Sequence, residues 1–223
     1  MMTGLALDAS SALGEDVGCV KRENIGVKLG IVSDIHSNAA GLQQALALMG
    51  DVDELLCLGD CIFEYRFSNE VVGLLQQRGA MVIQGNHEEV FFSDAGVRAR
   101  ERDGLDPSLL EFLAGQPHRR LLHFGNKTVL MVHSTPWEPR GEYVFPHSAQ
   151  LARFAEAEAD FVLYGHTHAQ VVRQVGRVLV INPGSAGDAR DHGNDRQLSC
   201  AVLDTATHEV QMINYPDPRF GEP

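Results

Sequence analysis

The sequence has few basic residues and no long apolar run. It carries 18 Lys+Arg against 30 Asp+Glu, a formal net charge of −12. This balance argues against binding duplex nucleic acid through a basic surface. The four cysteines form no CxxC pair, so cysteine usage is typical of a cytoplasmic protein. No segment approaches the roughly 20 apolar residues of a membrane span.

The length and composition indicate one globular domain. With 223 residues, 44% of them hydrophobic, the chain can bury a full core without disulfides. Residues 1–26 are rich in small residues and lack the basic and apolar regions of a secretory signal. We therefore predict a loosely ordered N-terminal extension over residues 1–26 and a single domain over residues 27–223. Homo-oligomerisation is left open.

Apolar runs alternate with amphipathic segments in the first part of the chain. Leu42, Ala45, Leu46 and Met49 have the spacing of a helix that packs one face on a sheet. Ser148 is predicted to cap another helix through Leu151, Phe154 and Ala155. The predicted strands cover residues 28–33, 55–58, 81–84, 121–124, 128–132, 161–164, 171–175, 178–181, 198–203 and 209–213. The predicted fold class is α/β (α+β), a four-layer αββα sandwich of two mixed sheets flanked by helices.

Polar side chains follow five of these strands at the point where each strand ends. They are Asp34, His36, Asp60, Asn86, His87, His133, His166 and His168. Each one alone has an ordinary alternative, such as a solvated loop, a turn or a hydrogen-bonded histidine. Together they include five of the ten histidines, and the carboxyl ends of strands are where α/β sheets bind ligands. The sequence therefore predicts a metal site.

The chemistry of these side chains fits two metal ions. A pair of ions can clamp the attacking and leaving oxygens of a phosphoryl displacement, and a carboxylate must bridge the two. Nitrogen and oxygen ligands suit Mn, Fe, Ni, Co or Zn, and manganese is the ion we expect. Asp34 and Asp60 bring two negative charges against four positive charges, which leaves room for a hydroxide and a phosphate.

The order and spacing of the motifs resemble a known family. D-x-H at 34–36, GD at 59–60, GNHE at 85–88, the isolated His133 and GHTH at 165–168 resemble the calcineurin-like metallophosphoesterase superfamily. SDIHSN and INPGSAGDARD are similar to its small bacterial and archaeal phosphodiesterase branch. The resemblance covers about residues 28–215.

The resemblance implies a role for each motif residue. The first metal would be held by Asp34, His36, Asp60 and His168. The second would be completed by Asn86, His133 and His166, with Asp60 bridging. A bridging hydroxide would be the nucleophile, and His87 would act as general acid or stabilise the transition state. The expected substrate-binding residues are Asn38, Asn86, His87 and Arg140, and the loop 182–185 would support the site.

The chain departs from many relatives in the loop 61–67. Cys61 is expected to be a packing residue. Arg66 and Arg140 either meet a phosphate or lie on the solvated surface, and both interpretations stay open.

The expected function is hydrolysis of a small phosphodiester, for example a cyclic or dinucleotide-like one. Two alternatives remain. The first is a phosphomonoesterase, including one acting on protein phosphoserine or phosphothreonine. The second is a non-catalytic scaffold, which is disfavoured because every motif position is filled.

Overall fold

A computed structural model describes residues 26–138 and 141–220. The predicted N-terminal extension, apart from Gly26, lies outside the described residues, so its boundary stays a prediction. The ten strands are β1 (Lys28–Val32), β2 (Glu54–Cys57), β3 (Met81–Val82), β4 (Arg119–Phe124), β5 (Lys127–Val132), β6 (Phe161–Leu163), β7 (Val171–Val175), β8 (Val178–Asn182), β9 (Leu198–Asp204) and β10 (Val210–Tyr215). The α-helices are α1 (Ala39–Met49), α2 (Asn69–Gln77), α3 (Asn86–Phe92), α4 (Val97–Arg100) and α5 (Pro107–Ala114). Short 3₁₀ segments cover Asp94–Gly96, Ala149–Glu156, His192–Asn194 and Pro218–Phe220.

The strands form two mixed five-stranded sheets, which confirms the predicted fold class. One sheet has the order β10-β9-β1-β2-β3, and the other has the order β4-β5-β6-β8-β7. In the first sheet β1, β2 and β3 run parallel, while β9 and β10 pair antiparallel. In the second, β5, β6 and β8 are parallel, and β4 and β7 are antiparallel edges. Each sheet therefore brings the carboxyl ends of three parallel strands to one edge.

Three apolar layers hold the sandwich together. The layer between the sheets contains Leu29 and Ile31 of β1 and, facing them, Met131 and Leu163 of the second sheet. A second layer lies under α1 and α2, where the predicted stripe of α1 is buried. The third covers the outer face of the second sheet. Alternate residues of one strand thus serve two layers, which fixes the register of the strands.

The outer segment after Ser148 is not the α-helix that the sequence predicted. Ser148 caps it, but Ala149–Glu156 forms a 3₁₀ helix and Ala155 is exposed. The buried residues are Leu151, Phe154 and Ala157, three positions apart. A 3₁₀ helix has three residues per turn, so this spacing aligns all three on the sheet. The outer layer that covers the second sheet is therefore a 3₁₀ segment and not an α-helix.

The second difference concerns the motif after β3. No helix was predicted there, but Asn86 and His87 form the first turn of α3. Gly85 is the N-cap, and the Glu88 carboxylate accepts its backbone N–H at 2.8 Å. This N-terminal arrangement is half of a capping box. Strand β3 is consequently shorter than predicted.

Helices in the described part of the chain are short. The longest α-helix, α1, has 11 residues. In residues 26–138 and 141–220, no helix has the length and apolar character needed to cross a membrane.

Candidate metal centre

The loops that leave β1 and β2 run side by side and carry the two predicted carboxylates. Asp34 N donates to Gly59 O at 3.1 Å, and His36 N donates to Asp60 O at 2.9 Å. These bonds extend the pairing of the strands beyond their ends. Asp34, His36 and Asp60 all have positive φ, between 48° and 52°. Non-glycine residues rarely adopt this conformation, and it is concentrated at functional sites.

The first group of ligand atoms comprises Asp34, His36 and His168. His168 Nε2 lies 3.4 Å from Asp34 Oδ1 and 3.0 Å from His36 Nε2. His168 Nδ1 lies 2.9 Å from the carbonyl oxygen of Asp188 and must donate to it, because a carbonyl only accepts. In the neutral ring, Nε2 is therefore left with a lone pair that faces Asp34. A bond of this kind orients metal-binding histidines.

The second group comprises Asp60, His133 and His166. His133 Nε2 lies 3.1 Å from Asp60 Oδ2 and 3.1 Å from Asn86 Oδ1. Its Nδ1 donates to Leu58 O at 2.8 Å, which again directs Nε2 into the site. Asp60 also belongs to a further group with His36 and His87, so it lies between the two predicted metal positions.

A glycine permits each pair of loops to approach. A Cβ on Gly165 would lie 2.6 Å from Asp34 Oδ2, and one on Gly85 would lie 2.7 Å from Asp60 N. Neither distance is compatible with a side chain. The glycines of GHTH and GNHE are therefore required by the close packing of the ligand loops.

The electrostatics of the site fit bound cations. Burial lowers the pKa of His36 and of His166 to about 4, so both rings are neutral at pH 7 and can act as ligands. Burial also opposes charge on His133, but Asp60 and then Asp34 outweigh it and raise the pKa of His133 to about 10. A proton on His133 thus balances the aspartates when no metal ion does so.

Buried atoms without a hydrogen-bond partner also indicate a site for cations. Among the described residues, Asp34 Oδ1 and His166 Nε2 are buried without a hydrogen-bond partner. Buried polar atoms of this kind require a partner. Carboxylate oxygens and imidazole nitrogens are ligands of divalent transition metals, so the residues present fit such ions.

His87 lies at the edge of the centre. Its Nε2 is 3.8 Å from Asp60 Oδ2, and its Nδ1 is 2.5 Å from Glu64 Oε2. Its ring is 19% exposed, whereas His133 is fully buried. Glu64 thus holds the outer nitrogen and directs Nε2 towards the site. The sequence analysis named no role for Glu64, since its loop position follows from packing and not from a motif.

Glu88 is a second residue for which sequence reasoning gave no role. Its carboxylate accepts hydrogen bonds from Asp60 N at 2.8 Å and Ile62 N at 3.1 Å, in addition to the bond from Gly85. Burial, and then Asp60, raise the pKa of Glu88 to about 7. Glu88 therefore ties the loop of Asp60 to the start of α3. The sequence could have indicated this role, because Glu88 is the last residue of the GNHE motif.

The loop that departs from relatives packs against the site through Phe63 and Arg66. Phe63 stacks on His36 with 4.6 Å between ring centroids, and the Arg66 guanidinium lies 4.7 Å from the Phe63 ring. Arg66 also donates to His36 O at 3.1 Å. Cys61 is buried, with its Sγ 3.5 Å from that of Cys57, as expected of a packing residue.

Of the ten predicted metal and substrate residues, the structure brings eight into one place, and Asn38 lies behind them. Asn38 is 2% exposed; its Oδ1 accepts from Gly41 N and caps α1, and its Nδ2 donates to Gly187 O. Substrate contact by Asn38 stays a prediction that requires breaking one of these bonds. Arg140 lies outside the described residues.

The loop 182–185 supports the centre as expected. Asn182 Nδ2 donates to Gly165 O at 2.8 Å, and Ser185 Oγ donates to Asp34 O at 2.7 Å. Both bonds hold loops that carry predicted ligands.

A sandwich of this kind with a buried Asp/His centre defines a metal-dependent hydrolase. The family model described as calcineurin-like phosphoesterase superfamily domain matches residues 27–208. The chain belongs to this superfamily, and with it to the phosphoric ester hydrolases. The family and the Asp/His groups together point to divalent metal ions.

Individual proteins resemble this chain in sequence and in fold. An uncharacterized protein of Methanocaldococcus jannaschii is 24% identical over 214 residues, covering 83% of this chain and 86% of that protein. A metallophosphoesterase from Sphaerobacter thermophilus has a TM-score of 0.68 at 25% identity, covering 86% of this chain and 89% of its own. A hypothetical protein from Pyrococcus horikoshii has a TM-score of 0.70 at 18% identity, covering 87% of this chain and 90% of its own. A structure described as a novel archaeal phosphodiesterase has a TM-score of 0.56 at 22% identity, covering 84% of this chain and 99% of its own.

Proposed function

We propose that this protein is a two-metal phosphoesterase that hydrolyses small phosphodiesters. The observation that carries the proposal is the position of Asp60 between two groups of buried ligands. Asp60 lies in one group with His133 and His166 and in another with His36 and His87. His36 in turn forms a group with Asp34 and His168. A carboxylate in this position is what a binuclear centre needs for its bridge.

The proposed chemistry divides between the ions and the chain. When bound, two divalent ions supply Lewis acidity to the phosphoryl oxygens and activate a water nucleophile. Asn86 Oδ1 and His133 Nε2 lie 3.1 Å apart, so both atoms face the position where they would bind the same ion. His87 contacts the Glu64 carboxylate through Nδ1, so to deliver a proton from Nε2 to the leaving oxygen its ring would carry a proton on both nitrogens.

Two considerations favour phosphodiesters over phosphomonoesters. One structural relative is described as a phosphodiesterase. The acidic surface, with a net charge of −12, also disfavours the more highly charged monoester dianion away from the metals. Manganese is the ion we propose.

A metal-dependent activity screen tests the proposal. The purified chain is stripped with a chelator, reloaded separately with Mn²⁺, Fe²⁺, Ni²⁺, Co²⁺ and Zn²⁺, and assayed on bis-p-nitrophenyl phosphate and p-nitrophenyl phosphate. We expect turnover to depend on added metal and to be faster on the diester. Faster turnover of the monoester would favour a phosphomonoesterase. A metal-loaded chain inactive on both substrates would favour the scaffold.

A further inference from the structure

A cavity opens directly beside the metal centre. It has a volume of about 730 Å³ and is bounded by His166 and His168 on one side and by Tyr143 and Phe145 on another. This volume lies in the roughly 300–1,000 Å³ range of small-molecule sites. A phosphorus atom at the centre would therefore place one of its ester groups in this cavity.

The cavity has an aromatic wall that is exposed to solvent. Tyr143 is 56% exposed and Phe145 is 49% exposed. Their rings are nearly parallel, with 13° between planes and centroids 6.1 Å apart. Tyr143 in turn stacks on His166, with centroids 3.8 Å apart. Three aromatic rings, those of His166, Tyr143 and Phe145, thus follow one another from a predicted metal ligand outwards along the cavity.

The loop that carries these rings is anchored on both sides of Tyr143. Val144, between the two aromatic residues, is fully buried, and its carbonyl accepts a hydrogen bond from Tyr164 Oη at 2.9 Å. On the other side, the Glu142 carbonyl accepts a hydrogen bond from Ser134 Oγ. The aromatic surface is therefore held in place before any ligand binds, which reduces the entropy lost on binding.

The charged groups of the cavity are already engaged. Arg190 lies 2.5 Å from the Asp188 carboxylate. Both carboxylate oxygens of Asp191 accept backbone N–H bonds, from Gln170 at 3.0 Å and from Gly193 at 2.7 Å. Of the two lining residues, Arg190 is thus paired with Asp188, and Asp191 is held by backbone amides. This arrangement suits an uncharged aromatic group better than a second phosphate.

We propose that this cavity is a nucleoside subsite, in which the base of a phosphodiester stacks on Tyr143 and Phe145. The inference rests on the proposed function, because it assumes that the phosphodiester phosphorus lies at the metal centre. Every nucleobase has a flat π face, so such a platform accepts different bases. The substrate class is then a phosphodiester with at least one nucleoside ester group.

A pair of substrates with one leaving group tests this subsite. Thymidine 5′-(p-nitrophenyl phosphate) and methyl p-nitrophenyl phosphate differ only in the group that the cavity would hold. Loss of one stacking ring typically costs about tenfold in affinity. We therefore expect the wild type to prefer the thymidine ester in kcat/KM, and Tyr143→Ala to lose about tenfold of this preference through KM.

Two control variants keep the Tyr143 ring, and metal content reports whether His166 is still supported. Tyr143→Phe keeps the ring and should keep the preference. Tyr65→Ala removes a tyrosine of similar exposure, 49%, that does not line the cavity, and should also keep it. Metal content measured in each variant shows whether the centre is intact. Equal kcat/KM for the two esters in the wild type, with metal bound, would overturn the nucleoside subsite and leave the phosphodiesterase function standing.

A binding measurement gives an answer even without turnover. The metal-loaded protein is titrated by calorimetry with adenosine 5′-monophosphate and with ribose 5-phosphate, which share sugar and phosphate but not the base. We expect adenosine 5′-monophosphate to bind about tenfold more tightly, and Tyr143→Ala to abolish the difference. Base-dependent binding without hydrolysis of any ester would support the subsite while refuting the proposed function. Equal binding of both ligands would overturn the subsite.

Discussion

Replacement of Glu88 by glutamine removes an acceptor from the turn that joins the two ligand groups. The Glu88 carboxylate accepts three backbone N–H bonds, with one oxygen shared by Asp60 N and Gly85 N and the other facing Ile62 N. A glutamine amide has only one oxygen. If that oxygen keeps Asp60 and Gly85, an amide NH₂ group faces Ile62 N, and one buried donor is left without an acceptor.

The expected change in the free energy of unfolding follows from the number of N–H groups left without an acceptor. One buried unsatisfied N–H costs about 1–3 kcal/mol, so we expect Glu88→Gln to lower the free energy of unfolding by that amount. Glu88→Ala loses all three acceptor contacts and should cost about 3 kcal/mol or more. The amides that Glu88 holds belong to Asp60 and to Gly85, which precedes Asn86. Metal affinity should therefore also fall about 10- to 100-fold in Glu88→Gln.

Urea unfolding at pH 8 with a chelator present measures the first effect without a contribution from bound metal. This pH lies above the Glu88 pKa of about 7, so the carboxylate of the wild type is ionised and accepts all three bonds. Glu88→Gln also removes a charge that burial and Asp60 disfavour, so the net loss should lie at the lower end of the expected range. Glu111→Gln, on an exposed position of α5, is the matched control and should stay within about 0.5 kcal/mol of the wild type. A Glu88→Gln variant as stable as this control, with unchanged metal affinity, would refute the tethering role.

Three other changes have distinct expected outcomes. His87→Gln should lower kcat about 10²–10⁴-fold on a phosphodiester with an alkoxide leaving group but far less on bis-p-nitrophenyl phosphate, with metal content unchanged; equal losses would point to charge stabilisation instead. Deletion of residues 1–26 should leave activity largely intact, and a truncated chain that folds and binds metal without turnover would contradict this. Arg66→Met removes the bond to His36 O and should cost about 1 kcal/mol in urea unfolding, so an unchanged midpoint would argue against a supporting role for Arg66.

The central strands, such as β2, β6 and β8, could be predicted well because they are buried on both faces. Continuous apolar runs such as residues 28–32 have few alternatives in a two-sheet sandwich. Helix α3 was missed because it has only 7 residues and its N-cap, Gly85, has no side chain to signal a start. The segment Ala149–Glu156 was misassigned because Phe154 and Ala155 fit an α-helical spacing, while the three-residue spacing of the buried positions is visible only in the structure.

The gathering of the site residues was predictable for a different reason. The carboxyl ends of parallel strands meet at one edge of a sheet, so Asp34 had to lie near Asp60, and His133 near His166. Glu64 and Tyr143 lie in loops whose paths depend on packing against the rest of the molecule. Their contacts with His87 and His166 have no counterpart in sequence spacing.

Metal analysis of Asp60→Ala tests the central claim most directly, since only a bridging carboxylate serves both metal positions. Elemental analysis of the purified wild type should give two divalent ions per chain, and the same analysis of Asp60→Ala should show both ions lost together. Asp51→Ala, which alters an exposed aspartate, should retain both. An Asp60→Ala protein that keeps full occupancy of both positions would contradict the bridging role on which the proposed mechanism depends.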